Sequence, residues 1–246
     1  MLKWESDPAN IASRLVAVAL AERLRTEANW PVPRQHAVED DGWLFVSQDF
    51  MRGETVTHLS HGVIDELFSL HARRVALVDA DESGSWGADM IETLVNGGGD
   101  YCLHEPLRSY DERTRRVVER IEAIGRALTP ADLDGRAIVH ADLHPGNLLQ
   151  VEGELSAVVD LDYARVGDAA FDLACIAVAS LGVDVDPGVR KRCFEQGVET
   201  LDGRRRAAYI GNLLLRNLDW PIRKNRPSEV EFWLAQSDRL LADIGP

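Results

Sequence analysis

A polar loop between two short apolar segments limits what this chain can fold into more than any other feature. Residues 139–149 read Val-His-Ala-Asp-Leu-His-Pro-Gly-Asn-Leu-Leu, and the segment Ala157-Val158-Val159 then leads to Asp160. The β-branched and apolar flanks predict short strands, so the loop should be aimed by a rigid scaffold. A carboxylate at Asp142 can orient a hydroxyl group, while Asn147 and Asp160 carry the oxygen ligands that Mg²⁺ prefers. The spacing therefore predicts a catalytic carboxylate beside two metal ligands.

The same pattern is how kinase-type sites transfer the terminal phosphoryl group of ATP to a hydroxyl group. His140 then suits a packed ring that hydrogen-bonds to nearby backbone and shapes the loop. Asp172 lies in an otherwise apolar segment and is too costly to bury as a bare charge, so we expect it to accept backbone N–H groups of the loop and brace the site. Asp162 is either a further metal ligand or a solvated neighbour. Gly146 is expected to need a positive φ in the turn.

Composition restricts the partners and the compartment. The chain has 246 residues, 45% of them hydrophobic, with a formal net charge of −14. That charge disfavours nucleic acid, whose phosphates need clustered Lys and Arg. It either suits a cationic small substrate or serves solubility alone. No apolar run approaches the ~20 residues of a membrane span, and the first residues lack the apolar stretch of a secretory signal. A cytoplasmic protein with three reduced cysteines is expected.

Apolar spacing predicts an α+β protein. A helix from Ile11 to Thr26 is followed by a hairpin with strands at 34–38 and 43–50. Further helices are predicted at 59–75, 109–127, 168–182, 187–200, 203–218 and 227–243. Short strands at 137–139, 148–151 and 155–159 should carry the loop. The chain therefore reads as a small strand and helix unit followed by a mainly helical part.

These segments resemble the aminoglycoside phosphotransferase family of small-molecule kinases, most specifically over Val139–Leu149 and Val158–Ala174. The resemblance implies a protein-kinase-like bilobal fold, with a truncated N-terminal β lobe and hinge at 1–52 and a helical C-terminal lobe at 53–246. It implies ATP and Mg²⁺ as cofactors, Asp142 as the catalytic base, and Asn147 and Asp160 as magnesium ligands. Backbone groups near Gln48, Asp49 and Phe50 would hold the adenine.

Two departures from the family pattern concern the nucleotide side. Lys3 looks like the phosphate-binding lysine, yet a glycine-rich strand pair should precede it, so either the true start lies upstream or the hairpin has been lost. The first helix should also supply a glutamate that pairs with this lysine. The candidates, Glu22 and Glu27, both come late in the helix, and the expected height is occupied by Ser13 and Arg14.

Three functions remain open at this stage. The first is an ATP-dependent small-molecule kinase, with antibiotic inactivation as one outcome. The second is a catalytically weak or inactive kinase-like binding protein. The third is a metal-dependent hydrolase that uses His140, Asp142 and His144 as ligands. The acceptor should be bound by the helical part, and its candidate contacts are Asp219, Glu229, Glu231 and Trp233. The sequence leaves the acceptor, the oligomeric state and the choice between ATP and GTP open.

Overall fold

The computed structural model of the chain describes residues 2–74 and 85–242. Two compact units share the chain. The first comprises Met1–Gly84 and Gly135–Val198, and the second comprises Ser85–Asp134 and Glu199–Pro246. Each unit is therefore built from two separate stretches of sequence. The predicted lobe boundary at residue 52 stays a prediction.

The first unit opens with a three-stranded antiparallel sheet and one helix. Its strands are β1 (Leu2–Glu5), β2 (Gln35–Asp40) and β3 (Trp43–Gln48), in the order β1-β3-β2. The helix α1 (Pro8–Glu27) begins after Asp7, whose carboxylate accepts the Ala9 N–H. Pro8 fits the first position of the helix because the backbone N–H that proline lacks has no partner there. A small apolar core joins helix and sheet. It contains Ile11, Leu15, Val18, Ala37, Leu44 and Val46.

The remaining strands of the first unit form three small sheets. These strands are β4 (Glu54–Thr55), β5 (His58–Leu59), β6 (Ala137–Val139), β7 (Leu148–Val151), β8 (Glu154–Val158), β9 (Arg165–Gly167) and β10 (Asp184–Val185). The sheets have the orders β4-β7-β8, β6-β9 and β10-β5. The helices are α2 (His61–Arg74), α6 (Ala170–Ala179) and α7 (Val189–Gly197). Strands β6 and β7 flank the polar loop, as the sequence predicts.

The second unit is helical. It contains α3 (Trp86–Asn96), α4 (His104–Tyr110), α5 (Glu112–Arg126), α8 (Gly203–Arg223) and α9 (Pro227–Ala242). At the start of α5, Asp111 accepts the Thr114 N–H while the Thr114 hydroxyl accepts the Asp111 N–H, a capping box. These reciprocal bonds fix where the helix begins.

The α+β class is confirmed, and most predicted elements exist within a few residues of their predicted bounds. Helices α3 and α4 were missed, although Trp86, Met90 and Leu94 share one buried face of α3. Helix α8 continues past the predicted end at 218, with Pro221 inside it close to its C-terminal end. Within the described ranges, no helix is both long and apolar enough to cross a membrane.

All three cysteines, Cys102, Cys175 and Cys193, are free and buried. Burial raises the pKa of the Cys102 thiol to about 12 and that of Cys193 to about 11. Both are therefore protonated thiols at neutral pH.

Candidate active site

The polar loop leaves β6 and returns through a tight turn into β7. Ala137 to Val139 pair with β9, and Leu148 pairs with Val158 of β8, so both ends of the loop are fixed in sheets. Between them, Ala141 adopts a φ of 65° and residues Pro145–Asn147 form one 3₁₀ turn. A left-handed alanine carries strain that its surroundings must offset. The loop is thus held by the surrounding structure in a conformation that its sequence does not favour locally.

Asp172 helps to stabilise this loop conformation. Its side chain is fully buried in the first turns of α6. One oxygen accepts the His140 N–H at 2.8 Å and the other accepts the Ala141 N–H at 2.9 Å. Both donors are backbone N–H groups of the loop, as the sequence predicts, and they belong to the left-handed Ala141 and to the residue before it. Hydrogen bonds to a buried carboxylate are among the stronger ones in proteins.

His140 is buried, and both of its ring nitrogens contact backbone atoms. Its Nδ1 accepts the Asp142 N–H at 3.3 Å, and its Nε2 lies 3.0 Å from the Val159 carbonyl oxygen. The first contact requires a bare Nδ1, so Nε2 carries the proton and donates it to Val159. The ring therefore ties the loop to the segment that leads into Asp160.

Asp142 and Asn147 face each other across the turn. The Asn147 amide nitrogen donates to the Asp142 carbonyl oxygen at 2.9 Å and lies 3.3 Å from its Oδ2. Because the nitrogen end of the amide is used in this way, the Oδ1 of Asn147 remains the end suited to a metal. The His144 Nε2 lies 3.6 Å from the same Asp142 oxygen. The Asp142 side chain is thus held beside Asn147 while 25% of it stays exposed.

Asp160 follows directly on the strand segment that contacts Asn147. The Val159 N–H donates to the Asn147 carbonyl oxygen at 2.9 Å, which brings the next residue, Asp160, beside the asparagine. Asp160 has a φ of 63°, a second left-handed residue at the site. One carboxylate and one amide oxygen fit Mg²⁺, which keeps few protein ligands and takes the rest from phosphate and water. The donor set present is thus suited to this ion.

Lys3 reaches the site from β1. Its Nζ donates to Asp160 Oδ1 at 2.5 Å and to Asp162 Oδ2 at 2.8 Å. The Arg14 guanidinium lies 2.5 Å from the same Asp162 oxygen. Burial acts to lower the pKa of Lys3, but the bonds to both carboxylates outweigh it and the pKa is raised. Burial acts to raise the pKa of Asp162, but Lys3 and Arg14 outweigh it and the pKa is lowered.

The two candidate glutamates for Lys3 pair with other residues. Glu22 binds Arg25, and Glu27 binds Arg23, both along the surface of α1. The late position of these residues in the helix is the physical reason, since α1 carries them away from β1. Asp162 lies beside Lys3 instead, and Arg14 of the helix contacts Asp162. Asp162 is accordingly not a solvated neighbour, and it is not directly available as a metal ligand, because two cations already contact one of its oxygens.

Gly146 differs from its predicted conformation. It is absent from the positive-φ glycines of the described chain, so its φ does not require glycine. Space requires it instead: an added Cβ would lie 2.6 Å from Cε1 of His144. The His144 ring stands close because its Nδ1 accepts the Gly146 N–H at 3.0 Å. The left-handed positions of the site are Ala141 and Asp160, and neither residue type announces them in the sequence.

The predicted adenine contacts follow β3. Gln48 ends the strand opposite Gln35, and the Asp49 N–H donates to the Arg34 carbonyl oxygen at 3.0 Å. Phe50 is 87% exposed. These residues lie in the same unit as the loop, and their contact with a nucleotide stays a prediction.

The ligand set of the hydrolase alternative is not assembled. Both nitrogens of His140 are taken by backbone atoms. Within residues 2–74 and 85–242 no group of three or more His, Cys, Asp or Glu side chains is arranged to hold a metal ion. A two-ligand magnesium site does not need such a group, whereas a protein zinc site does.

The acidic residues suggested for the acceptor all have partners within the second unit. Asp219 is 1% exposed and binds Arg223 with both oxygens. Glu229 pairs with Arg226, and Glu231 pairs with Arg113. A cationic acceptor would have to compete with an arginine at each of these carboxylates.

Comparisons of the sequence and of the fold with known proteins both lead to phosphotransferases. The model of the phosphotransferase enzyme family matches residues 12–210. Solved structures of similar fold include a thermostable mutant of aminoglycoside phosphotransferase APH(4)-Ia, in a ternary complex with ADP and hygromycin B. Its TM-score is 0.67 at 17% identity, and the alignment covers 100% of this chain and 87% of that chain. A search of curated proteins found no match.

Two further structures extend the likeness. The aminoglycoside phosphotransferase APH(3'')-Id from Streptomyces rimosus, in complex with ADP and streptomycin, has a TM-score of 0.58 at 14% identity over 87% of this chain and 86% of that chain. Wild-type aminoglycoside 2'-phosphotransferase-IIIa, in complex with GDP, has a TM-score of 0.55 at 14% identity over 96% and 84%. At these identities the likeness establishes the fold, which is the kinase-like fold that the sequence predicts.

Proposed function

The chain belongs to the phosphotransferase enzyme family, and we propose that it transfers the terminal phosphoryl group of ATP to a hydroxyl group of a small molecule. Membership of the family makes it a small-molecule kinase. The observation that carries the proposal is the convergence of Asp142, Asn147, Asp160 and Lys3 within one compact unit, through side-chain and backbone contacts.

In the proposed reaction, Asp142 accepts a hydrogen bond from the acceptor hydroxyl and takes up its proton. A bond forms between the acceptor oxygen and the γ-phosphorus, and the bond from that phosphorus to the bridging oxygen of ADP breaks. Orientation matters more than base strength here, because the transition state of phosphoryl transfer is loose. The Asn147 amide suits the orienting task, since it donates to the backbone and the carboxylate of the same Asp142.

Asn147 and Asp160 would hold Mg²⁺, and Lys3 would donate to the phosphates. When bound, the ion neutralises charge on the phosphate oxygens. Lys3 also forms an ion pair with Asp160, which places the lysine next to the proposed metal ligand. Backbone groups at Gln48, Asp49 and Phe50 are proposed to contact the base. His140 and Asp172 act on the loop and contact neither substrate.

A cationic acceptor, such as an amino sugar, suits the net charge of −14. Hygromycin B and streptomycin are present in two of the similar structures. Phosphorylation of such an antibiotic would inactivate it, so resistance is one proposed outcome. No nucleic acid is expected as partner, and the site described needs residues of a single chain only.

The direct test is a panel of acceptors incubated with the purified protein, Mg²⁺ and either ATP or GTP. The panel contains aminoglycosides, macrolides, choline-like alcohols and sugars, and mass spectrometry detects the addition of one phosphoryl group. We expect at least one cationic acceptor to be modified in a nucleotide- and Mg²⁺-dependent way. Binding of nucleotide without transfer to any acceptor would favour the kinase-like binding protein instead.

A further inference from the structure

The carboxylates that pair with Lys3 do not belong to the neighbouring helix α1. Lys3 lies opposite Val46 in the register of β1 and β3, and Val46 packs against Ile11 of α1. The lysine therefore lies on the sheet face that α1 covers. In kinases a glutamate on the helix pairs with this lysine, and the pair must be in place for phosphates to bind productively.

The carboxylates on or near α1 are engaged elsewhere. Glu22 and Glu27 bind arginines of the same helix. Glu5 accepts the N–H groups of Ser6 and Asp7 at 2.8 and 2.9 Å, where it shapes the entry to the helix. Near Lys3, the helix therefore contributes a cation and not a carboxylate.

That cation is Arg14, and the matching carboxylate is Asp162. Asp162 Oδ2 accepts from Lys3 at 2.8 Å and lies 2.5 Å from the Arg14 guanidinium. The three side chains are 22%, 27% and 19% exposed for Lys3, Arg14 and Asp162, so water screens their interaction only in part. Together with Asp160, these side chains form a cluster of two carboxylates and two cations. Removing Arg14 would leave an excess of negative charge where phosphates must bind.

Building on the proposed function, we infer that Asp162 replaces the helix glutamate as the residue that holds Lys3 toward the phosphates, and that Arg14 is the positioning residue that fixes Asp162. Lys3 contacts two carboxylates, and only Asp160 is needed for the metal. Asp162 is left to orient the lysine while Asp160 serves as ligand. Arg14 acts through Asp162 and also ties α1 to the segment after β8.

Equilibrium binding of two probes tests this inference. The first probe is AMP-PNP with Mg²⁺, which carries the phosphates, and the second is adenosine, which lacks them. Calorimetry gives both dissociation constants for the wild-type chain, Arg14→Met, Asp162→Asn, the double variant and the conservative Arg14→Lys. Arg25→Met is the matched control, because Arg25 lies on the same helix and binds Glu22 at the same 2.5 Å.

We expect Arg14→Met and Asp162→Asn each to weaken Mg·AMP-PNP binding roughly tenfold, the effect of one charged hydrogen bond. The double variant should lose no more than the weaker-binding single variant, since both changes break one linkage. Adenosine binding should stay unchanged in all variants, Arg14→Lys should retain most of the affinity, and Arg25→Met should match the wild type.

Unchanged Mg·AMP-PNP binding in both single variants would overturn the inference, and so would additive losses in the double variant. An equal loss of adenosine affinity would do the same, because it would mean that Arg14 only supports the fold. A wild-type chain that binds neither probe would overturn the proposed function itself. The wild-type measurement thus separates the two failures.

Discussion

The two sides of the candidate site are held by different interactions. On the loop side, a fully buried Asp172 accepts two backbone N–H groups and fixes the residues just before Asp142. On the nucleotide side, partly exposed side chains of Lys3, Arg14 and Asp162 hold one another through ion pairs. Buried, saturated hydrogen bonds give a rigid geometry, whereas partly solvated ion pairs exchange partners at low cost.

This difference suits the two tasks. The residue that orients the acceptor hydroxyl must be held within a fraction of an ångström, which rigid support provides. In the proposed reaction Lys3 would turn from a carboxylate to a phosphate, so it has to be able to change partners. Asp160 belongs to both sides, because it is the proposed metal ligand and a present partner of Lys3.

Among the changes that compare the two sides, replacing that shared residue should have the largest effect. Asp160→Asn removes one of two proposed magnesium ligands, and we expect the transfer rate to fall by roughly 10²–10³-fold. Steady-state kinetics at varied Mg²⁺ measures the loss. Asp41→Asn is the matched control, since Asp41 is an exposed aspartate with a similar left-handed φ of 46°. Equal rates for Asp160→Asn and the control would remove Asp160 from the metal site.

The loop side is tested by Asp172→Ala. The change leaves the N–H groups of His140 and Ala141 buried without their acceptor, and we expect the free energy of unfolding to fall by about 3 kcal/mol. Urea denaturation measures it, with the exposed Asp184→Ala as control. A loss no larger than that of the control would mean that the loop does not depend on this carboxylate.

A smaller effect is expected from Gly146→Ala. The new methyl group would press on the His144 ring and disturb the cap on the Gly146 N–H, at a cost of about 1 kcal/mol. Thermal unfolding with Gly99→Ala as control measures it, because an added Cβ at Gly99 meets nothing within 4 Å. Stabilisation by Gly146→Ala would contradict the steric explanation.

The smallest effect concerns an ion pair outside the site. Arg25→Met removes the partner of Glu22 on the exposed surface of α1. Exposed pairs of this kind contribute little, so we expect no resolvable change in the free energy of unfolding. Urea denaturation at low and high salt checks this. A large, salt-sensitive loss would mean that ion pairs on α1 are stronger than their exposure suggests, and the contrast between the two sides would weaken.

The sequence predicts the loop side better than the nucleotide side, for a physical reason. Asp172 could be assigned a task because a lone carboxylate in an apolar helix must find donors, and the nearby loop has them. The contacts of Lys3 depend on how β1, α1 and the segment after β8 meet in space. No local pattern encodes the contact of Lys3 with Asp162, whereas a kinase-like pattern points to the glutamates of α1.

Backbone strain and steric fit were equally hidden. Ala141 and Asp160 take left-handed conformations that neighbouring contacts impose, and alanine gives no local indication of this. The positive φ predicted for Gly146 is wrong, and the close approach of the His144 ring to Gly146 depends on ring placement, which is a tertiary property. The proposed metal and catalytic residues could be predicted from the sequence because chemistry, more than packing, dictates their types and spacing.

Single-turnover transfer from γ-labelled ATP in the Asp142→Asn variant measures whether the reaction uses the loop carboxylate. With an acceptor identified from the panel and saturating Mg²⁺, we expect a transfer rate reduced roughly 10²–10⁴-fold, with the dissociation constant of Mg·AMP-PNP unchanged. A wild-type transfer rate in this variant would contradict the account, because the loop would then position a carboxylate that the reaction does not use.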